Sequence, residues 1–300
     1  MALAQPLLNQ ESVQELAKEH NITVPDHYVQ EHQEPTFVPN DCSLMPSIPI
    51  IDMNDLIMGG LNTDLHLKSL RSKIDWADRF YMSTNPLHRR KSNLLPEFPP
   101  LLRDTLENYL LELQKLGRTL FGLIGQAVDI DKEEMLEIFD DGMQSVRMTY
   151  YPPCPQPDLV VGLTPHSDAT GITILLQVNN VEGLQVKKDG VWIPVNFLPD
   201  TFVVNVGEIL EIMSNGVYNS IEHRAVVNAT KERISLAMFF NPKLEPDVGP
   251  SKSLIKRTRN PPLYKTLTME QYLKDFFSRK LNGKTFLENM KIKQDEADKT

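Results

Sequence analysis

The sequence predicts a mainly β protein with helical additions, whose core is a double-stranded β-helix, or jelly roll. Between residues 145 and 240, short stretches rich in β-branched and aromatic residues alternate with turn formers, which is typical of a sandwich or barrel. Asp189-Gly190 stands between two of these stretches and indicates a two-residue hairpin. A jelly roll is one of these folds, and because it brings distant strands together at one open end it explains how His223 could lie near Asp168.

The residues before this β-rich region predict two strands and a helical scaffold. The strands are expected over residues 48–53 and 76–82. The helices are expected around residues 13–17, over 99–128 and over 132–139, and the first is followed by a proline-punctuated arm. Apolar residues from Leu102 to Ala127, Leu123 among them, recur at three- and four-residue steps and make the long helix amphipathic, so it should pack on the back of a sheet.

The β-rich region and the segment after it complete the prediction. Strands are expected over residues 146–150, 173–178, 184–186, 191–195, 202–206, 220–226 and 234–240. After residue 242 a looser, proline-containing segment leads to a helix over residues 268–280, where Thr268 and Gln271 resemble a capping box. A short helix around Phe286 and Met290 precedes a charged tail, residues 291–300, which is expected to be disordered.

Composition narrows the classes of function. A net charge of -9 and a pI near 5.3 argue against a nucleic-acid surface or a basic face for anionic lipid. A small-molecule substrate is the simpler expectation. No apolar run reaches the length of a membrane span, and the N-terminus lacks a basic start followed by an apolar core, so we expect a cytoplasmic protein. We also expect a monomer. Cys42 and Cys154 are expected to be reduced thiols. The three histidines of the N-terminal arm are expected to be solvated, namely His20, His27 and His32.

A possible metal site begins at His166-Ser167-Asp168. Residues i and i+2 of an extended strand project to the same side, so these two side chains can offer an imidazole and a carboxylate to one point. An isolated His-x-Asp is more often a polar turn. A third ligand from His223 would give two histidines and one carboxylate, the set that suits non-haem Fe(II) with open positions.

Arg233 and Ser235 strengthen this interpretation. They lie at i and i+2 of an apolar strand, so the arginine should be buried. A buried guanidinium needs an anionic partner, and its fork matches a carboxylate. The alternative is a structural salt bridge to one of the chain's own acids.

The chain resembles a known family through several motifs in matching order. These are Tyr150-Tyr151-Pro152-Pro153-Cys154-Pro155, His166-Ser167-Asp168, Gly183-Leu184-Gln185, Ser214-Asn215-Gly216, His223-Arg224 and Arg233-Ile234-Ser235. Together they resemble the plant 2-oxoglutarate and Fe(II)-dependent dioxygenases, which have the isopenicillin N synthase-like fold. Asp75-Trp76-Ala77-Asp78 is similar to a segment of the branch that contains senescence-related dioxygenase-like proteins and alkaloid O-demethylases.

The resemblance implies a set of roles. Iron would bind His166, Asp168 and His223, which would therefore be the catalytic and metal residues. The far carboxylate of 2-oxoglutarate would meet Arg233 and Ser235, with a further hydrogen bond from Tyr151. Dioxygen would be the second cosubstrate and ascorbate the reductant. The family commonly has asparagine two residues before this tyrosine, where this chain has Thr149, a shorter donor.

The segment between Met53 and Asp75 departs from the family. Members carry there a helix, a strand pair with a Gly-Phe-Phe type motif, another helix and a long loop, whereas this chain has about twenty residues. We interpret this as an internal deletion near Ser72-Lys73. It would remove strands that extend the sheet and surfaces that cover the pocket, but none of the expected metal or 2-oxoglutarate residues.

The implied organisation has four parts: a truncated N-terminal region (residues 1–74), a strand with scaffold helices (75–144), the dioxygenase jelly-roll core (145–242) and a C-terminal helical extension (243–300). The implied reaction is hydroxylation or O-demethylation of an aromatic plant metabolite such as a flavonoid or alkaloid, with release of succinate and CO2. Phe239 and Phe240 would line the pocket or pack in the core. The alternatives are an inactive truncated form that binds at most metal or a partner, and a cupin-like binding protein.

Overall fold

The computed structural model describes residues 12–18, 23–30, 33–36, 75–90, 98–279 and 283–292. The strands are β1 Asp78–Asn85, β2 Gln144–Tyr151, β3 Leu163–His166, β4 Ile172–Gln177, β5 Leu184–Lys188, β6 Val191–Pro194, β7 Phe202–Val206, β8 His223–Ala225, β9 Arg233–Phe240, β10 Asp247–Val248 and β11 Leu267–Thr268. The helices are α1 Val13–Leu16, α2 Pro100–Ala127, α3 Lys132–Phe139, α4 Glu208–Met213, α5 Lys252–Thr258, α6 Met269–Phe277 and α7 Thr285–Met290. Single 3-10 turns cover Leu87–Arg89 and Pro157–Leu159.

Two antiparallel sheets form the centre of the molecule. The described strands give one sheet in the order β1-β2-β9-β4-β7 and a second in the order β3-β8-β5-β6. Side chains of both sheets line one cavity, because alternate residues of each strand point inward. This is the architecture of a jelly roll. The cavity, rather than a solid core, fills the space between the sheets at one end.

The main hydrophobic core lies on the outer face of the five-stranded sheet. There buried residues of α2, including Leu110, Leu113 and Phe121, pack against residues of β2, β4 and β9 that point away from the cavity. Gly117 leaves a notch for the Phe240 ring, since a Cβ at this position would lie 2.5 Å from a ring carbon. Helices α6 and α7 extend this core with Tyr272, Phe286 and other apolar side chains. The sheet is thereby held rigid from behind, which positions its inner face.

Most predicted elements are confirmed, with shifted ends. The long helix, the short helix over residues 132–139 and the β-rich pattern all occur as expected. Asp189 and Gly190 both have positive φ, 51° and 79°, as a two-residue hairpin requires, and Lys188 pairs with Val191 across it. Thr268 caps α6 by accepting from the Gln271 amide, although the Gln271 side chain bonds Asp275 instead of returning to the cap.

Other expectations were incomplete or lie outside the described residues. Helices α4 and α5 were not predicted. Two of the expected apolar positions of α2, Leu102 and Leu123, are exposed. His27 is exposed and Cys154 is a free thiol, both as expected. The strand over residues 48–53, the deletion point at Ser72-Lys73, His20, His32, Cys42 and residues 293–300 of the tail all lie outside the described residues. Among the helices that the structure describes, none is both long and apolar enough to span a bilayer.

Candidate metal centre and anion pocket

Three predicted ligands meet at the open end of the jelly roll. His166 ends β3 and His223 begins β8, and these two residues are paired across the two strands. Asp168 follows two residues after His166, and its Oδ1 lies 3.5 Å from His166 Nε2 and 3.8 Å from His223 Nε2. The possible ligand atoms of the three side chains all lie within 4.8 Å of one another. The structure therefore brings the predicted set to one point.

One detail of the prediction needs correction. Asp168 was expected to share a strand with His166, but β3 ends at His166 and Asp168 lies in the loop before β4. That loop is held by the helix that follows β7: Glu208 N–H donates to the Asp168 carbonyl at 2.8 Å, and Ile209 N–H donates to the Thr170 carbonyl at 3.0 Å. The carboxylate is thus directed by loop packing and not by strand alternation.

Backbone carbonyls orient both imidazoles. His166 Nδ1 lies 2.8 Å from the Thr164 carbonyl, and His223 Nδ1 lies 3.1 Å from the Ile221 carbonyl. A carbonyl can only accept, so Nδ1 carries the proton in each ring and the Nε2 lone pair faces Asp168. This is the arrangement by which second-layer groups fix a metal-binding histidine.

Asp168 is held by two side chains that sequence reasoning missed. Its Oδ2 accepts a hydrogen bond from Thr173 Oγ1 at 2.7 Å and one from Asn205 Nδ2 at 2.9 Å. Thr173 and Asn205 are paired residues of β4 and β7, so the register of these strands sets the contact. A polar residue inside an apolar strand was the only signal for either one. Oδ1 is left to face the two histidines.

The electrostatics of the site suit a divalent cation. Burial by itself raises the pKa of Asp168, but the facing imidazoles of His223 and His166 and the Thr173 hydroxyl outweigh it, and the pKa lies below its usual range. Burial lowers the pKa of His223 to about 4, with partial compensation from the Asp168 carboxylate. At neutral pH the site therefore offers an ionised carboxylate and a neutral imidazole. Two imidazoles and one carboxylate on one side of a metal fit Fe(II) with positions left open.

An anion pocket lies in the same cavity. Arg233 and Ser235 are both buried on β9, and Tyr151 of β2 pairs with Arg233 across the strands. The guanidinium carbon lies 5.0 Å from the centre of the Tyr151 ring, and Arg233 Nε lies 3.4 Å from Gln177 Oε1. Within the described residues these contacts are neutral, which does not support the alternative of a structural salt bridge. The cavity walls include Asp168, His223, Arg233 and Ser235 together.

The inner face of β2 and β9 also carries residues whose roles were open. Arg147 lines the cavity, with its guanidinium carbon 5.0 Å from the centre of the Phe239 ring. Thr149 lies opposite Ser235 and is buried, so the residue that replaces the family's asparagine faces the anion pocket. Phe239 lies on the cavity side of the sheet beneath Arg147, whereas Phe240 packs in the core against Gly117.

Gly183 makes room for Arg233. A Cβ on this residue would lie 2.8 Å from Arg233 Cδ and 2.8 Å from the Val226 carbonyl. Gly183→Ala is expected to push the guanidinium out of place and to raise the KM for 2-oxoglutarate by about tenfold to a hundredfold, since small misplacements of a binding group are costly. Gly122→Ala is the matched control, because nothing lies within 4 Å of its Cβ position. An unchanged KM in Gly183→Ala would contradict the assignment.

Glu208 is a second buried carboxyl behind the ligand loop. Its oxygens accept from Ser167 Oγ at 2.5 Å and from the Tyr272 hydroxyl at 2.7 Å. Burial raises its pKa to about 7, although both hydrogen bonds and Lys284 act in the opposite direction. Folding therefore makes Glu208 easier to protonate than it is in the unfolded chain.

This shift gives a pH dependence of stability. The native state holds a proton on Glu208 that the unfolded chain loses near pH 4.5, so the stabilisation is present below that pH and is lost as the pH rises to about 7. Glu208→Gln has no carboxyl to ionise, so this pH-dependent loss of stability is absent from the variant. The free energy of unfolding of the variant, relative to that of wild type, is therefore expected to rise between pH 4.5 and 7, by about 3 kcal/mol at most. Thermal melts of metal-free protein across this range, with the exposed Glu245→Gln as control, test it. A parallel pH profile for Glu208→Gln and wild type would contradict the shift.

Comparison with known proteins agrees with this geometry. Residues 142–242 match the family model of the 2OG-Fe(II) oxygenase superfamily. Protein SRG1 of Arabidopsis thaliana is 41% identical over 345 aligned residues, which cover 94% of this chain and 96% of that protein. The chain belongs to the 2OG-Fe(II) oxygenase superfamily. The predicted resemblance, including its plant branch, and the jelly-roll fold are thereby confirmed, and the cofactors of this family are iron and 2-oxoglutarate.

Two further relatives and a solved structure lie in the same superfamily. Codeine O-demethylase of Papaver somniferum is 50% identical over 76% of this chain and 63% of that protein, and the oxoglutarate-dependent flavonoid 7-O-demethylase 1 of Ocimum basilicum is 50% identical over 73% and 59%. The chain thus spans about 60% of the length of these two demethylases. The crystal structure of JOX2 in complex with 2OG, Fe and JA aligns with a TM-score of 0.80 and 30% identity, covering 96% of this chain and 99% of JOX2.

The alignment with SRG1 also bears on the predicted deletion. It is 345 residues long, whereas this chain has 300, so at least 45 aligned positions of SRG1 have no counterpart here. SRG1 is therefore longer than this chain over the aligned region. The deletion near Ser72-Lys73 stays a prediction. The described metal ligands and anion pocket are nevertheless present together.

Proposed function

We propose that this protein is an Fe(II)- and 2-oxoglutarate-dependent dioxygenase that hydroxylates or O-demethylates a small plant secondary metabolite of the flavonoid or alkaloid type, with release of succinate and CO2. The observation that carries the proposal is a cavity lined by Asp168 and His223 of the metal triad and by the buried Arg233 and Ser235. The third triad residue, His166, lies beside the other two. A metal site needs no arginine of this kind, whereas a dicarboxylate bound to the metal does. The pair thus argues against a cupin-like binding protein.

The proposed roles follow from the geometry. The triad would hold iron through His166 Nε2, His223 Nε2 and Asp168 Oδ1, because the opposite atoms of all three side chains are engaged by Thr164, Ile221, Thr173 and Asn205. Arg233 and Ser235 would bind the far carboxylate of 2-oxoglutarate, and Tyr151 would contribute a hydrogen bond from the adjacent strand. When bound, iron and 2-oxoglutarate supply the activation of dioxygen for oxidation of the substrate.

The chain itself contributes orientation and exclusion of water. Apolar residues of both sheets wall the cavity, among them Leu175, Leu184 and Val203. In such a setting the charge of Arg233 acts through a low dielectric and is therefore a strong anchor for a carboxylate. The metal triad at one end and Arg233 at the other would hold such a cosubstrate, and the apolar wall between them suits its methylene groups.

Hydroxylation and O-demethylation are the same oxidation on different carbons. A hydroxylated O-methyl group is a hemiacetal, which breaks down to formaldehyde and a free phenol or enol. The 50% identity to a codeine and a flavonoid O-demethylase supports an aromatic methyl ether as substrate. A monomeric, cytoplasmic enzyme is part of the proposal.

The alternative is an inactive truncated form. No feature of the described residues favours it, because the ligands and the arginine are placed together and supported. Anaerobic titration of the purified protein with Fe(II) and 2-oxoglutarate, followed by admission of oxygen and a succinate assay, separates the two. A visible charge-transfer band with succinate release supports the enzyme. A folded protein with neither would overturn it.

A further inference from the structure

Helix α4 places two buried acids behind the metal site. Glu208 and Glu211 lie one turn apart on this helix, and both side chains are almost completely inaccessible to solvent. Buried carboxylates need several donors to offset their desolvation. Each of the two accepts a hydrogen bond from one serine that lies within three residues of a metal ligand and from one tyrosine of the C-terminal segment.

The first acid holds the loop that carries two of the ligands. Glu208 accepts from the hydroxyl of Ser167, which stands between His166 and Asp168 in the chain. The backbone N–H of Glu208 donates to the Asp168 carbonyl. The helix is therefore hydrogen-bonded to this short loop through a side chain and through the backbone. Any rotation of the loop would have to break both contacts.

The second acid holds the segment that carries the third ligand. Glu211 Oε2 accepts from the backbone N–H of Ser220 at 2.5 Å and from its hydroxyl at 2.8 Å. Ser220 precedes His223 by three residues, and Ile221 between them supplies the carbonyl that orients the His223 ring. One helix thus connects the two segments from which all three ligands come.

The C-terminal segment completes both connections. The Tyr272 hydroxyl donates to Glu208 at 2.7 Å, and the Tyr264 hydroxyl donates to Glu211 at 3.0 Å. Lys284 Nζ reaches Glu211 at 2.8 Å and the Ser220 carbonyl at 3.0 Å. Gly283, the residue before Lys284, forms a bridge to His166. Residues about a hundred positions from the first ligands in sequence therefore lie against the same helix.

We propose that Glu208 and Glu211 are positioning residues that clamp the ligand-bearing segments in register, and that Tyr264, Tyr272 and Lys284 lock this clamp from the C-terminal segment. The inference rests on the proposed function only in taking His166, Asp168 and His223 as metal ligands. None of the five clamp residues touches the metal position. They act by holding the three ligand side chains, before metal binds, close to the positions that metal binding requires.

The test measures metal affinity without turnover. Purified protein is titrated anaerobically with Co(II), a substitute for Fe(II) whose visible absorption reports both affinity and ligand geometry. Tyr272→Phe and Ser167→Ala are expected to weaken Co(II) binding by about tenfold, the lower end of what outer-layer changes cause. Tyr109→Phe is the matched control: it also removes a buried hydroxyl, but one that has no hydrogen-bond partner among the described residues. It should leave the affinity unchanged.

A double-mutant cycle separates positioning from general loss of stability. If Tyr272 acts through Glu208 on Ser167, the variant carrying both Tyr272→Phe and Ser167→Ala should bind Co(II) no more weakly than Ser167→Ala alone. Affinities are compared well below each variant's melting temperature, so that unfolding does not contribute. Additive losses, or a Tyr272→Phe variant that binds like Tyr109→Phe, would overturn the clamp.

The outcome is independent of whether the protein turns over. If wild type binds Co(II) and the cycle is non-additive but no succinate forms with Fe(II), the clamp stands and the proposed activity fails. If succinate is released but the cycle is additive, the proposed activity stands and the clamp fails. If folded wild type does not bind Co(II), both are overturned.

Discussion

Asp168→Asn is expected to abolish detectable Fe(II) binding and to lower succinate release by at least about a hundredfold, beyond the range that loss of an outer-layer contact causes. The substitution preserves shape but removes the negative charge that faces the two imidazoles. It also replaces one carboxylate oxygen by an NH2 group, which donates. The amide oxygen can still accept from Thr173 and Asn205, as the carboxylate does now. Metal content after dialysis and the succinate assay are the measurements.

Asp200→Asn is the control for this experiment. Asp200 is exposed and has a φ of 58°, a conformation that asparagine adopts readily, so the variant should fold and function as wild type does. Retention of iron by Asp168→Asn at wild-type affinity would remove this carboxylate from the proposed ligand set.

Arg233→Leu is expected to raise the KM for 2-oxoglutarate by roughly 30-fold or more, because truncating one partner of a buried charge pair costs about 2–5 kcal/mol. The guanidinium is buried, lies against the Tyr151 ring and faces the cavity that reaches the metal ligands. Saturating 2-oxoglutarate should restore much of the rate, since the arginine anchors the end of the cosubstrate that does not react. Steady-state kinetics with varied 2-oxoglutarate check this.

A cosubstrate without the far carboxylate tests the specific pairing. 2-Oxopentanoate has the same carbon chain but ends in a methyl group. Wild type should prefer 2-oxoglutarate strongly, whereas Arg233→Leu should discriminate much less, because the charge that distinguishes the two compounds is gone. Arg103→Leu, which removes a surface arginine paired with its neighbour Asp104, should keep the full preference. Equal discrimination by Arg233→Leu and wild type would place the carboxylate elsewhere.

The ligand set was predictable because its residues are chemically distinctive. The chain is rich in β-strands and contains two histidines and an aspartate that can bind a metal. It also has an arginine two residues before a serine in an apolar strand. These residues indicate a metal site with an anion pocket even if the strand ends are predicted imprecisely. The jelly roll then explains how His223 meets Asp168, and the structure pairs His166 with His223 directly. Periodicity likewise predicted α2, since a long helix repeats its pattern many times.

The support of the site was not predictable in the same way. Thr173 and Asn205 meet Asp168 only through the register of β4 and β7, which no local pattern encodes. Helix α4 has six residues, all buried, so it lacks the alternation of apolar and polar faces by which a helix is recognised. The opposite error occurs in α2. Leu102 and Leu123 fit its apolar pattern but are exposed, because the pattern continues where the helix no longer packs against the sheet.

The position of β7 has a consequence for how the metal site fails. In the described five-stranded sheet β7 is the last strand, paired only with β4, and it carries the Asn205 side chain that steadies Asp168. Because side chains alternate along a strand, a slip of one residue would turn this amide to the opposite face. Regions with few buried apolar contacts open locally before the whole molecule unfolds, and in β7 Phe202 and Val204 are exposed. Loosening of residues 202–206, measurable by amide hydrogen exchange, should therefore release the metal at temperatures where the rest of the sheet is still intact.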